Sequence, residues 1–172
     1  MIKLVLSNVF RFLFLLLLQI VVFNNIGILN MVNPYVYVLF IILLPLDTPL
    51  YLLLSLSFLM GLSVDTFSNT GGIHAAACTL IAFMRPLVLL IITPREGYEH
   101  QSVPNLRNMG IQWFLAYSII LVLIHHLVLF QIEVFRFNEF LITLTRSILS
   151  SIFTLLLILL SQYLTGSTKK RV

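Results

Sequence analysis

Charged side chains are scarce in this sequence of 172 residues. They make up 9% of it, whereas soluble domains carry about 25%. Hydrophobic residues make up 60%, and the apolar runs are long enough for several membrane spans of about 20 residues each. The composition excludes a soluble globule and predicts one all-α integral membrane domain over residues 1–172. The net charge of +4 forms no basic stripe interleaved with aromatics, so we expect no nucleic-acid binding.

Cysteine and catalytic motifs are also nearly absent. The single cysteine, Cys78, excludes a disulfide framework and a zinc–cysteine site, and its apolar surroundings predict a packed thiol. His74 and His100 stand alone, and the sequence shows neither a histidine pair at metal-ligand spacing nor a nucleophile beside a base. The adjacent His125 and His126 point to different helix faces. They indicate a buried, satisfied pair, or alternatively a proton path. We therefore expect no cofactor, no metal and no enzymatic activity.

Prolines, glycines and short polar turns divide the apolar sequence into six segments. The second is too short for a full span, so other helices must cover its ends. It is followed by a turn containing Pro45, Asp47 and Pro49. The expectation is a six-helix transmembrane bundle with a short second helix. Its helices cover residues 4–23, 35–44, 50–64, 73–92, 111–130 and 140–164.

The distribution of basic residues predicts the orientation. Six helices place both termini on one side, together with the loop over residues 94–110, and only Arg136 falls in the opposite loops. The positive-inside rule makes the basic side the cytoplasm. Residues 94–110 are then a cytoplasmic loop and residues 165–172 a basic cytoplasmic tail. Five helices would separate the two basic termini, which favours six.

Four of the charged residues inside or beside the predicted spans need an account: Asp47, Asp65, Arg85 and Arg146. A charge at a helix centre costs roughly 2.5–3.5 kcal/mol on insertion scales, so such residues are kept for packing or for function. Depth along the helices predicts that Asp65 pairs with Arg146 near the outer face and that Asp47 pairs with Arg85 near the inner face. The pairs would fix helix packing, and a transported-ligand site is the alternative.

Small residues predict two helix-contact faces. Ser57 and Gly61 form a small-xxx-small step on the third helix, which allows another helix to approach closely. Thr143, Ser147 and Ser151 form a ridge at four-residue spacing on the sixth helix. The sequence leaves open whether that ridge faces this chain's own helices or those of a partner.

The region from Asn33 to Pro86 resembles the bacterial rod-shape-determining protein family MreD. The resemblance consists of Asn33-Pro34 before a short second helix, Gly61-x-x-x-Asp65 at the end of the third, and Gly71-Gly72 before a small-residue fourth helix. Thr70-Gly71-Gly72 departs from the commoner large apolar residue followed by one glycine. The loop over residues 94–110 is also longer than in many relatives.

The resemblance implies a non-enzymatic subunit of the cell-elongation complex in the bacterial cytoplasmic membrane. The implied partners are an MreC-like protein, the RodA glycosyltransferase, a class B penicillin-binding protein and membrane lipid. It also implies a fold like that of the substrate-binding subunits (S components) of energy-coupling-factor transporters. That kinship supplies the alternative function, a vitamin-binding transporter subunit.

Two features separate these functions. A vitamin binder needs convergent polar or aromatic groups in its outer half, and the outer loops hold several asparagines but few charges. It would also carry an Ala-x-x-x-Ala docking motif, which Ala75–Ala77 does not supply. A third possibility, a lipid-headgroup transferase, lacks an acidic metal cluster.

Overall fold

The computed structural model describes residues 2–25, 32–99, 102–135 and 139–165, and within these every regular element longer than one residue is helical. The predicted tail beyond Thr165, together with His100 and Arg136, lies outside the described residues. In chain order the helices are α1 (Ile2–Val21), a 3-10 turn (Phe23–Asn25), α2 (Val38–Ile42), α3 (Leu50–Ser68), α4 (Ile73–Ile91), α5 (Leu106–Met109), α6 (Ile111–Val134) and α7 (Phe140–Thr165).

Five of these helices, α1, α3, α4, α6 and α7, are long and apolar enough to cross a membrane. They contain 19 to 26 residues each. The chain is therefore a helical, multi-pass membrane protein, as its composition predicts. The segment predicted as a short second helix forms only one helical turn and a half, α2, and that turn is completely buried among the long helices.

The end of α3 differs from the prediction. The third helix is predicted to end at Val64, with a turn from Asp65. In the structure α3 continues to Ser68 and ends where Asn69 adopts the left-handed conformation, with φ of 55°. Asparagine tolerates this conformation better than most residues, and it often ends helices in this way. Asp65 consequently lies on the last turn of a helix, with its side chain buried between α3 and α4.

Gly61 brings α3 and α4 into backbone contact. A Cβ atom placed on Gly61 would lie 2.5 Å from the Cα of Ala75 and 2.5 Å from the carbonyl oxygen of His74. Both of these atoms belong to the α4 backbone, which cannot move aside as a flexible side chain can. The small-residue step on α3 is thus the place where the two helices approach most closely at the start of α4.

The hydroxyl ridge on α7 is buried inside the chain. Thr143, Ser147 and Ser151 are all almost inaccessible to solvent. Ser147 Oγ lies 2.8 Å from the carbonyl oxygen of Thr143 and 3.4 Å from that of His126 on α6. The ridge therefore faces this chain's own α6, and the opposite face of α7 carries exposed leucines and isoleucines.

We predict that Gly61→Ala destabilises the protein, because the added methyl group must push the α3 and α4 backbones apart. Overpacking of this kind costs about 1–3 kcal/mol. Gly71→Ala is the matched control, since no atom lies within 4 Å of its added Cβ and its φ is not positive. The measurement is the thermal unfolding midpoint in detergent. Equal midpoints for the two variants would contradict the close approach.

Candidate functional site

A non-helical stretch of backbone runs through the interior of the helix bundle. We call residues 33–45 the buried segment; only its Val38–Ile42 part is helical, and Tyr35 to Pro45 is buried throughout. Backbone N–H and C=O groups inside a bilayer need partners within the protein, because neither lipid nor bulk water supplies them. Six polar side chains from four of the long helices provide such partners: Arg11, Gln19, Arg85, Tyr117, Ser150 and Thr154.

Hydroxyl groups of α7 bind the beginning of the buried segment. The amide of Asn33 donates to Ser150 Oγ over 3.1 Å, and the amide of Tyr35 donates to Thr154 Oγ1 over 3.1 Å. Ser150 and Thr154 are four residues apart on one helix face, so they meet alternate residues of the non-helical chain. Asn33, predicted only as a family motif residue, thereby connects the segment to α7.

Gln19 of α1 binds the same stretch from the other side. Its Nε2 donates to the carbonyl oxygen of Pro34 over 3.1 Å, and its Oε1 accepts from the amide of Val36 over 2.9 Å. One carboxamide thus satisfies a backbone acceptor and a backbone donor two residues apart. Together with the α7 hydroxyls, it supplies the hydrogen bonds that a helix would otherwise make internally.

Arg85 of α4 binds the far end of the buried segment, where α2 ends. Its side chain is only 1% exposed. Its guanidinium donates to the carbonyl oxygens of Leu44 and Pro45 and, over 2.6 Å, to the hydroxyl of Tyr117. That hydroxyl in turn donates to the carbonyl of Ile42 over 3.2 Å. Leu44 and Pro45 lie just beyond α2, and a charged donor binds such buried carbonyl oxygens more strongly than a neutral one does.

This arrangement corrects the predicted pairing of Arg85 with Asp47. The hydrogen bonds of Arg85 go to carbonyl and hydroxyl oxygens, and Asp47 lies exposed in the turn before α3. A second arginine acts in the same way: Arg11 of α1 donates to the carbonyl of Leu43 over 3.0 Å. Two arginines therefore donate hydrogen bonds to adjoining carbonyl oxygens, those of Leu43 and Leu44, just after α2.

Asp65 binds the first turn of α4. Its two carboxylate oxygens accept from the amides of His74 (3.1 Å) and Ala75 (2.8 Å), and from the hydroxyl of Thr70 over 2.6 Å. The first amides of a helix have no internal acceptor, and negative charge is favourable beside them. Asp65 therefore acts as a capping group supplied by a neighbouring helix, at the level where Gly61 allows close contact.

The predicted pairing of Asp65 with Arg146 is wrong, because each has other partners. Arg146 lies 3.6 Å from Glu133 of α6, and its guanidinium carbon is 4.5 Å from the centre of the Phe130 ring. Depth along the helices was the only basis for the pairing. Matching charges by depth leaves out backbone amides as partners, and the amides of His74 and Ala75 are the groups that Asp65 binds.

A chain of hydrogen bonds joins two of the histidines near the middle of the bundle. The hydroxyl of Tyr37 lies 2.7 Å from Nδ1 of His74 and 2.9 Å from Nε2 of His125. His126 turns away from this chain to Thr154, with Nε2 at 3.1 Å from Oγ1. Sequence reasoning missed the chain, because Tyr37 comes from the buried segment and each histidine comes from a different helix.

A polar cavity of about 380 Å³ adjoins this chain of hydrogen bonds. We call it the outer cavity, because the orientation predicted from the basic residues places it on the outer side. His74 and Tyr35 both line the cavity, and their rings pack edge to face with centres 5.1 Å apart. The described residues that line it are Ile20, Phe23, Asn24, Asn25, Asn33, Tyr35, Phe67, Ser68, Thr70, Ile73, His74, Leu129 and Glu133.

Gly71 and Gly72, the glycines of the predicted family motif, are not close to another helix: no atom lies within 4 Å of a Cβ placed on either one. Both belong to the turn between α3 and α4, and Gly72 takes a positive φ of 92° that favours glycine at the residue preceding α4.

Ser57 is fully buried on α3, and its hydroxyl has no hydrogen-bond partner within the described part of the chain. Residues 2–25, 32–99, 102–135 and 139–165 contain no group of three or more His, Cys, Asp or Glu side chains placed to hold a metal ion.

We predict that Arg85→Met destabilises the protein, because it leaves the buried Leu44 carbonyl without a donor, whereas the Pro45 carbonyl keeps its donors from Thr48. Each unsatisfied buried group costs about 1–3 kcal/mol. Tyr117→Phe should cost less, about 1 kcal/mol, and the double variant should cost less than the sum of the two. Arg107→Met, at an exposed position, is the control for loss of an arginine. Thermal unfolding in detergent measures the effect, and a fully stable Arg85→Met would refute the assigned role.

Comparison with protein-family models, with curated proteins and with solved structures finds no match to this chain.

Proposed function

We propose that this chain is a non-enzymatic subunit of the bacterial cell-elongation complex, located in the cytoplasmic membrane with both termini in the cytoplasm. Its transmembrane faces would bind an MreC-like protein and, through it, the RodA glycosyltransferase and a class B penicillin-binding protein. The proposal rests on the MreD-like residues Asn33-Pro34, Gly61, Asp65 and Gly71-Gly72. It is the function of an assembly protein, in which no bond is made or broken.

The observation that carries this proposal is that the charged residues within the membrane helices bind peptide groups of this chain itself. Arg11 and Arg85 bind carbonyls at the end of α2, and Asp65 binds amides at the start of α4. These residues stabilise one packing of the chain, which is what a rigid docking subunit requires. Residues 33, 61 and 65 of the family motif belong to this same set of internal contacts.

An apolar groove between α1 and α3 is the surface we assign to a partner helix. It encloses about 700 Å³ and is lined mainly by aliphatic side chains and Phe12 and Phe40. Few α1 side chains along it are covered by the rest of the chain, and Phe10 beside it is 70% exposed. Packing of apolar surfaces is the main contact available between helices in lipid.

The groove can be tested by site-specific photocrosslinking in the native host. The crosslinking residue replaces Leu13 or Leu59, which line the groove and are 52% and 50% exposed. It replaces Leu87, 49% exposed on α4, as the matched control. We expect covalent adducts with an MreC-like chain from the groove positions only. Equal adducts from all three positions, or none with that chain, would contradict the proposal.

The outer cavity favours a second candidate, a substrate-binding subunit of an energy-coupling-factor vitamin transporter. Convergent polar and aromatic groups in the outer half are what such a protein needs, and Asn33, Tyr35, Thr70 and His74 line this space. Affinity capture of the detergent-solubilised protein separates the two functions. Recovery with MreC-like and penicillin-binding chains supports the first, and recovery with ATPase subunits supports the second.

A further inference from the structure

We propose that the outer cavity binds a small uncharged molecule that has an aromatic or heteroaromatic ring and a carbonyl oxygen, and that Nε2–H of His74 donates a hydrogen bond to that oxygen. The inference goes beyond the assembly function and requires no partner chain. It follows from the proton positions along the Tyr37 hydrogen bonds, from the charges around the cavity and from the side chains of its walls.

The proton positions follow from an atom that has no partner. His125 is fully buried, and its Nδ1 has no hydrogen-bond partner within the described residues. A proton on that nitrogen would be a buried N–H without an acceptor, which is costly. The neutral ring of His125 therefore carries its proton on Nε2, which donates to the oxygen of Tyr37 over 2.9 Å.

This assignment fixes the next proton. Tyr37 has one hydroxyl hydrogen, and its oxygen already accepts from His125. The Cys78 thiol, 4.0 Å from Nε2 of His125, is only a weak acceptor. The hydrogen is therefore donated to Nδ1 of His74 over 2.7 Å. A neutral His74 then carries its own proton on Nε2. That nitrogen makes no hydrogen bond within the described part of the chain, and the His74 ring lines the outer cavity. The cavity is consequently provided with a fixed hydrogen-bond donor at His74.

The charges around the cavity favour an uncharged ligand. Glu133 is the one acidic side chain among the described lining residues, and it disfavours an anion. Arg146 lies 3.6 Å from Glu133 and offsets its attraction for a cation. A neutral acceptor such as a carbonyl oxygen suits the donor of His74 without either penalty.

The walls indicate the remaining chemistry of the ligand. Phe23, Tyr35 and Phe67 supply aromatic surfaces on which a flat ring can pack. Asn24 is already held in place, because it accepts from Gln19 over 3.0 Å and donates to Ser68 over 2.9 Å. A wall fixed in this way loses little freedom on binding. The volume of about 380 Å³ lies within the range of small-molecule pockets, about 300–1,000 Å³.

The proton positions can be measured directly. The full chain, labelled with ¹⁵N-histidine and reconstituted in lipid nanodiscs, has only four histidines to assign by NMR. We expect His74 and His125 both to be protonated on Nε2 and bare on Nδ1. Tyr37→Phe should convert His74 into a mixture of tautomers, an effect that a merely structural role of Tyr37 would not produce. A proton on Nδ1 of His74 in the unmodified protein would overturn the proposal.

Binding is tested with three probes that share one ring and differ in charge: benzamide, benzoate and benzylammonium. We expect benzamide to bind, to shift the His74 ring signals and to bind about tenfold more tightly than either charged probe. His74→Phe should weaken benzamide binding about fivefold, the effect of one neutral hydrogen bond, whereas the loop variant His100→Gln should leave it unchanged. No benzamide binding up to its solubility limit, equal binding of all three probes, or binding without a His74 shift would each overturn the proposal. Failure here would leave the crosslinking result for the assembly function unaffected.

Discussion

The structure depends on satisfying the backbone of one non-helical segment inside a bundle of membrane helices. Residues 33–45 cannot make their own complete set of hydrogen bonds, because only Val38–Ile42 is helical. Several amides around α2 find acceptors within the segment itself, but the two ends of the segment take their partners from the surrounding helices. Gln19, Thr154 and Arg85 provide those partners from three different helices. With Tyr117 of α6, four of the long helices, α1, α4, α6 and α7, are connected through the segment that lies between them.

This constraint changes how the intramembrane charges are understood. An arginine or an aspartate in a span is commonly assigned either to an ion pair or to a transported ligand. Arg85 and Asp65 show a third use, in which the ion binds buried peptide groups that have no partner in a helix. For Asp65, the partial positive charge at the start of α4 takes the place of a counter-ion. Gly61 belongs to the same arrangement, because Asp65 can reach the start of α4 only where the two helices come this close.

Much of the fold could be predicted from the sequence, since prolines, glycines and apolar runs act locally. The span over residues 73–92 matches α4 (Ile73–Ile91), and the beginning of α6 at Ile111 was also predicted. The internal contacts could not be predicted, because they join residues far apart in sequence: Tyr37 and His125 are separated by 88 positions. Matching charges by depth failed for Asp65, since it considered only charged partners. The proposed functions depend on a short motif and on one cavity, and neither is visible in composition or periodicity.

The central claim is that Gln19, Thr154 and Arg85 hold the buried segment in place by satisfying its backbone. The most direct test is hydrogen–deuterium exchange of the peptide amides of residues 33–45 in the protein reconstituted in lipid. The account predicts strong protection in the unmodified protein and faster exchange near Val36 in Gln19→Leu, since that variant removes the acceptor 2.9 Å from the Val36 amide. Ser55→Ala, at an exposed α3 position, should leave the exchange unchanged. Unaltered protection in Gln19→Leu would contradict the account.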